Sequence, residues 1–126
     1  MPKITIITLY IIILLSYQSQ EGPKVTFKER PEKEVSHGYA RVKILAASLN
    51  HRDEWIRHGF YKLGDNYIMG SDACGIVEEV KDEKYVVLGP DDGTFREKIV
   101  VQSKNLVVKP VNLTPEQAAT MSIAGL

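Results

Sequence analysis

Polar and apolar residues alternate along Tyr39–Leu45, YARVKIL, with Ala40, Val42 and Ile44 on one face and Arg41 and Lys43 on the other. A period of two is that of a strand with one buried face. Lys24–Arg30, KVTFKER, alternates in the same way and stops at Pro31, which predicts a half-exposed strand. Pro31–Gly38 is a charged connecting loop, and further strands are expected over Gly75–Val80, Tyr85–Leu88, Phe95–Val101 and Asn105–Val108. Between them, Gly89–Gly93, GPDDG, has the composition of a turn. Helical signals are brief. A short helix is expected over Asn50–His58, closed by Gly59. Thr114–Gln117, TPEQ, is a capping box with Pro at the first helical position, so a second helix starts there.

The run Ile4–Leu15, ITIITLYIIILL, follows a single Lys3 and leaves three readings open. Its Ile and Thr content favours a strand. Its basic start and apolar stretch fit a signal peptide, although SYQSQ after it lacks a small-x-small cleavage site. A spanning helix would need ~20 apolar residues, more than are present, so no membrane span is expected. The expected organisation is an apolar segment at 1–20 and a single domain over 21–126.

Length and charge narrow the function. A chain of 126 residues holds one domain with a core. Sixteen Lys+Arg balance sixteen Asp+Glu without long blocks of either sign, and no basic surface of the kind that binds nucleic acid is expected. Cys74, the single cysteine, excludes an internal disulfide framework and any cysteine-rich zinc site.

The chemistry concentrates in Ala46–Tyr61, AASLNHRDEWIRHGFY, and in GSDACGIVEEV from Gly70. Asn50 stands where strand gives way to helix, a position suited to an N-cap, and Asp53 three residues on suits the positive helix end. Together with Gly93–Phe95, GTF, and Leu113–Leu126, LTPEQAATMSIAGL, these segments closely resemble the catalytic domain of medium-chain dehydrogenases/reductases, in particular the zinc-free, quinone oxidoreductase-like branch. The resemblance implies a mainly β domain, a GroES-like partly open β-barrel with short helices. It also implies that Asn50, Asp53 and Tyr61 contact substrate and nicotinamide, with Asn50 and Trp55 on the cofactor side. Trp55 stands where that branch often carries Tyr. Read without the resemblance, Trp55 and Tyr61 cover core and Asp53 supports the helix.

In the zinc-dependent branch a Cys takes the position of Asn50 and a His that of Ser71. A catalytic zinc needs three donors of the His, Cys or carboxylate type, so no metal site is expected here. His37, His51 and His58 have no ligand spacing, and Cys74 reads as a small buried hydrophobe. The cofactor implied by the resemblance is NADPH. No G-x-G-x-x-G phosphate loop occurs in the chain, and GPDDG lies between strands. The expectation is therefore a truncated member or fragment that stops before the family's Rossmann domain.

Within the domain, the family's longer connection between Val80 and Tyr85 is replaced by KDEK, and Arg96 and Lys98 stand where Ala and Tyr are frequent. Apolar surface on the C-terminal helix is expected to be exposed. Two functions of different class follow. The first is the substrate-side wall of a zinc-independent, NADPH-dependent quinone or enone reductase, acting on a small carbonyl or quinone substrate and inactive without a cofactor-binding domain. The second is a non-catalytic pseudoenzyme or interaction module that binds a partner subunit. A co-chaperonin rests on fold analogy alone and lacks a long glycine-rich loop. The expected location is cytoplasmic, or secreted if residues 1–20 are a signal peptide.

Overall fold

The computed structural model describes residues 29–61, 67–79, 83–89 and 93–125. The expectations for Ile4–Leu15, for most of the Lys24–Arg30 strand, and for the centres of the KDEK connection and the GPDDG turn lie outside these residues.

The strand with the clearest alternation, β1 (Tyr39–Ser48), is an inner strand of the sheet. It pairs antiparallel with β2 (Asp72–Val77) on one side and β4 (Lys98–Gln102) on the other. β3 (Lys84–Leu88) pairs with β2 and with β5 (Leu106–Val108), giving the order β4-β1-β2-β3-β5. All pairings are antiparallel, as expected for a mainly β, partly open GroES-like barrel. Ala40, Val42 and Ile44 are buried as the alternation predicts, and pack with Ala73, Val77, Val87, Ile99 and Val101.

β1 runs three residues beyond its predicted end because of an irregularity in its pairing. Ile44 faces Gly75 and Ala46 faces Cys74, so two steps on β1 match one on β2 and Leu45 is the extra residue. A bulge of this kind inverts the parity of everything after it. Ala46 therefore leaves the face of Val42 and Ile44 and joins Cys74, Val86, Ala118 and Ala119 in a second core on the other side of the sheet. That second face is covered by α2 (Pro115–Ala119).

The other boundary differences have similar causes. β2 begins at Asp72, earlier than Gly75, because Asp72, Ala73 and Cys74 are small enough to pair with both neighbours and stay buried. β4 begins at Lys98, later than Phe95, because the Thr94 and Phe95 N–H groups are drawn to the carbonyls of Gly70 and Met69. Asn105 belongs to a 3₁₀ turn, Ser103–Asn105, ahead of β5.

The Thr114 capping box forms as expected: Gln117 N–H donates to Thr114 Oγ1 (3.2 Å) and Thr114 N–H to Gln117 Oε1 (3.0 Å). The helix then breaks at Thr120, whose hydroxyl and N–H both turn to Gln117 O. A separate α3 (Met121–Gly125) follows, with Met121 and Ile123 exposed. Among the described residues no helix is long and apolar enough to cross a membrane.

A four-member charge cluster holds the segment before β1 against the sheet. Lys98 Nζ lies 3.0 Å from Glu78 and 3.4 Å from Glu32, and Arg41 reaches the same two glutamates at 3.6 and 3.7 Å.

Beside the bulge, β1 and β2 approach closely. A Cβ added at Gly75 would clash with the Lys43 carbonyl oxygen and meet Val42 Cγ1 at 2.7 Å, and the first of these only backbone movement relieves. At Gly38 the same added carbon meets nothing within 4 Å, and only the positive φ of 81° opposes it. Gly75→Ala is expected to destabilise the fold by about 2–3 kcal/mol as an overpacked core site, against about 1 kcal/mol for Gly38→Ala. Urea denaturation of the two variants checks the ranking, and equal losses would show that β1 and β2 can move apart without penalty.

Candidate active site

The end of β1, the start of β2 and the short helix α1 (His51–Arg57) converge on one carboxylate. Ser48 and Asp72 are cross-strand partners because the bulge in β1 brings Ser48 opposite Asp72. Asp72 has no exposed surface. Its Oδ2 accepts from Ser48 Oγ (2.9 Å) and from Asn50 Nδ2 (2.7 Å), and its Oδ1 accepts from the Ile123 N–H in α3 (2.9 Å). Thr94 Oγ1 donates to the Asp72 carbonyl at 2.8 Å. A buried carboxylate stays ionised only when such donors replace water.

Asn50 is the N-cap of α1, with extended backbone angles. Its N–H donates to Asp53 Oδ2 at 2.9 Å, and its carboxamide spans from the helix to Asp72. Because a carboxylate only accepts, the Nδ2 side of the amide must face Asp72.

Asp53 is 2% exposed, with Oδ1 accepting from the Gly70 N–H at 3.2 Å. Burial raises its pKa above the usual carboxylate value, against the backbone N–H groups of Asn50 and Gly70 and the Arg52 charge, which lower it. Its ionisation therefore opposes folding at neutral pH, an opposition relieved as pH falls through the raised value. The helix-support role is the one its contacts show: both oxygens are engaged by main chain.

Tyr61 and Trp55 are about 40% exposed, so neither fills core as their aromatic character alone suggests. Tyr61 lies under the Arg52 guanidinium, 5.5 Å from Cζ to ring centroid, and Arg52 Nη1 donates to the buried Ser71 Oγ at 2.7 Å. Trp55 makes an edge contact with His51, one turn earlier on α1, at 4.7 Å. The structure thus gathers Asn50, Asp53 and Tyr61 with Ser48, Arg52, Ser71 and Asp72, while the contact shown for Trp55 is to His51.

Four of these, Ser48, Arg52, Ser71 and Asp72, were not assigned a contact by sequence reasoning. For Asp72 a signal exists: a charged residue set among Ser71, Ala73 and Cys74 before a β-branched strand is a candidate for burial. Cys74 is buried as expected, and burial pushes its thiol up to about 11. Among the described residues no group of three His, Cys, Asp or Glu is placed to hold a metal ion.

Residues 36–111, more than half of the chain, match the alcohol dehydrogenase GroES-like domain family. The chain belongs to that family. It is thereby a member of the medium-chain dehydrogenase/reductase superfamily, with quinone oxidoreductase-like and enoyl reductase-like relatives. A zinc-type alcohol dehydrogenase-like protein of Schizosaccharomyces pombe is 30% identical over 78% of this chain and 37% of its own length. The trans-enoyl reductase sthE of Phaeosphaeria nodorum is 31% identical over 90% of this chain and 35% of its own. Among solved structures, the quinone oxidoreductase of Thermus thermophilus, known also in complex with NADPH, superposes with a TM-score of 0.67 at 31% identity. That match covers 76% of this chain and 32% of the oxidoreductase. This GroES-like chain therefore spans about a third of the length of the relatives it matches.

Asp72→Ala leaves Ser48, Asn50 and the Ile123 N–H without their acceptor and is expected to destabilise by about 3 kcal/mol or more; Asp72→Asn, which keeps one acceptor oxygen, loses less. A loss below about 1 kcal/mol in urea melts of Asp72→Ala would mean that water replaces the carboxylate. On the outer side of α1, Glu54 pairs with Arg57 (2.7 Å) and His58 (2.8 Å), and these contacts, Arg57 first, lower its pKa to about 2. Its folded value lies below the unfolded one, so its contribution is present above pH 4.5 and fades as pH falls toward 2. Glu54 is 39% exposed, and solvent screening limits the effect to under about 1 kcal/mol. Glu54→Gln should then lower stability at neutral pH and converge with the parent protein near the bottom of that window, as followed by melts across pH.

Proposed function

We propose that this GroES-like chain forms the substrate-side wall of a zinc-independent, NADPH-dependent reductase of quinones or enones. The observation that carries the reading is the state of Asn50 and Ser71, the positions that bear Cys and His in zinc-dependent relatives. The amide of Asn50 is bonded to Asp72, and the hydroxyl of Ser71 already receives a hydrogen bond from the Arg52 guanidinium. An amide and a hydroxyl are poor zinc ligands, and a cation hydrogen-bonded to one of them repels a dication. Zinc does not fit this site.

NADPH, when bound, supplies a hydride to the substrate. The residues here would meet only its nicotinamide end, at Asn50 and Trp55, because the chain has no glycine-rich phosphate loop. The work left to this chain is to bind and polarise the substrate carbonyl. Asp72 takes one hydrogen of the Asn50 amide at 2.7 Å, and the second meets only a long contact to Ser48 Oγ at 3.5 Å, which a substrate oxygen can displace. The partly exposed Tyr61 phenol is a further neutral donor. Asp53 acts through position, fixing Asn50 to the helix start and to Gly70.

The alternative, a non-catalytic module that binds a partner subunit, is favoured by the exposed Met121 and Ile123 of α3 together with Val107, Val108 and Val111. NADPH turnover separates the two. The product isolated from its natural source should oxidise NADPH with a quinone or an enone, and EDTA should leave the rate unchanged. Asn50→Ala in that product should lower kcat/KM by roughly 100–1,000-fold, the range for losing one oriented hydrogen-bond donor. Loss of turnover on chelation contradicts zinc independence, and no NADPH-dependent turnover with either substrate class favours the binding module.

A further inference from the structure

Arg52 is partly buried at the same corner as Asn50 and has no part in the carbonyl contacts above. Its Nη1 is anchored to Ser71 Oγ, and the Tyr61 ring backs its guanidinium. Among the described residues its charge is not neutralised by an ion pair, whereas Arg41 and Arg57 each lie against glutamates. The neighbouring carboxylates are committed elsewhere. Both oxygens of Asp53 face the N–H groups of Asn50 and Gly70, although Asp53 is near enough to feel the Arg52 charge. Those of Asp72 face Ser48, Asn50 and Ile123. Glu54 is held by Arg57 and His58.

A guanidinium presents five N–H donors in a rigid plane. Here one donor fixes the plane and an aromatic face covers one side of it. What remains is an oriented, partly desolvated cation with donors that no hydrogen bond among the described residues engages. This arrangement recognises the two-oxygen edge of a carboxylate or phosphate, where charge-assisted bonds are strong and directional.

We propose that Arg52, anchored by Ser71 and backed by Tyr61, is the binding site for an anionic oxygen group, carboxylate or phosphate, on the ligand that occupies the Asn50 corner. The site goes beyond the reductase reading and stands without it, since filling it requires neither hydride transfer nor a second domain.

The test is an NMR titration of the full 126-residue chain, following the Arg52 Nε–Hε signal. The probes are crotonate, its neutral counterpart crotonamide, and inorganic phosphate. At least one anion should shift the signal saturably, with crotonamide binding ~10-fold or more weakly than crotonate, as expected for a charge-assisted contact. A response to crotonate alone assigns the site to a substrate carboxylate, and one to phosphate alone assigns it to a phosphate-bearing ligand. Either supports the proposal. In Arg52→Gln the shifts at Ser71 and Tyr61 should disappear while the rest of the spectrum keeps its dispersion, and Arg52→Lys should retain part of the affinity. If Arg52→Gln does not fold, Tyr61→Leu takes its place, with affinity several-fold weaker. Shifts that never saturate, that match for crotonate and crotonamide, or that persist undiminished in the variants overturn the proposal.

Discussion

The carboxylate of Asp72 is held away from water by donors from three places in the chain: the end of β1, the N-cap of α1 and the first turn of α3. Each needs it for a different reason. The Ile123 N–H is a first-turn donor that its own helix cannot satisfy. Ser48 sits beside Asp72 in the sheet, and Asn50 would otherwise have no reason to turn its amide inward. One buried charge thus decides where the last helix docks and how the residue at the site is aimed. A charge in such a place is tolerated because both of its oxygens accept oriented hydrogen bonds.

Which residue of β1 faces that carboxylate follows from the bulge at Leu45. With strict alternation, Ala46 and Ser48 would continue the face of Val42 and Ile44. The extra residue moves them to the side covered by α2, which is why a five-stranded sheet this small can pack on both faces. The side chains on that side are small: Ala46 and Cys74 leave room for the helix alanines Ala118 and Ala119 to approach. Residues bearing chemistry then emerge from a rigid strand end, which holds geometry better than a free loop does.

Much of this was legible from local pattern. The alternation of Tyr39–Leu45 identifies β1 and its buried face, TPEQ marks the start of α2, and the polar turn at Asn50 marks the start of α1. These signals are local because a strand period or a capping box is satisfied within a few residues. What escaped were features that depend on distant partners. Nothing near Leu45 says that Gly75 and Cys74 will meet β1 out of step. The early start of β2 depends on β1 and β3 lying on either side. Arg52 reads as an ordinary helix residue until Ser71, nineteen positions on, supplies its anchor. Tyr61 illustrates the opposite error, since aromatic character suggests core and the fold leaves the ring partly open beneath that arginine.

The bulge also sets how this region can vary in length. Elsewhere in β1, losing one residue turns everything beyond it to the opposite side of the sheet. At Leu45 the loss would only remove the bulge: Ala46 would follow Ile44 directly and still face Cys74, and Ser48 would still face Asp72. Two descendants of one ancestor could therefore differ by one residue here and build the same corner. An indel at this single position is a change of length rather than of surface, and alignments that place the gap elsewhere in β1 reassign the faces of the residues between.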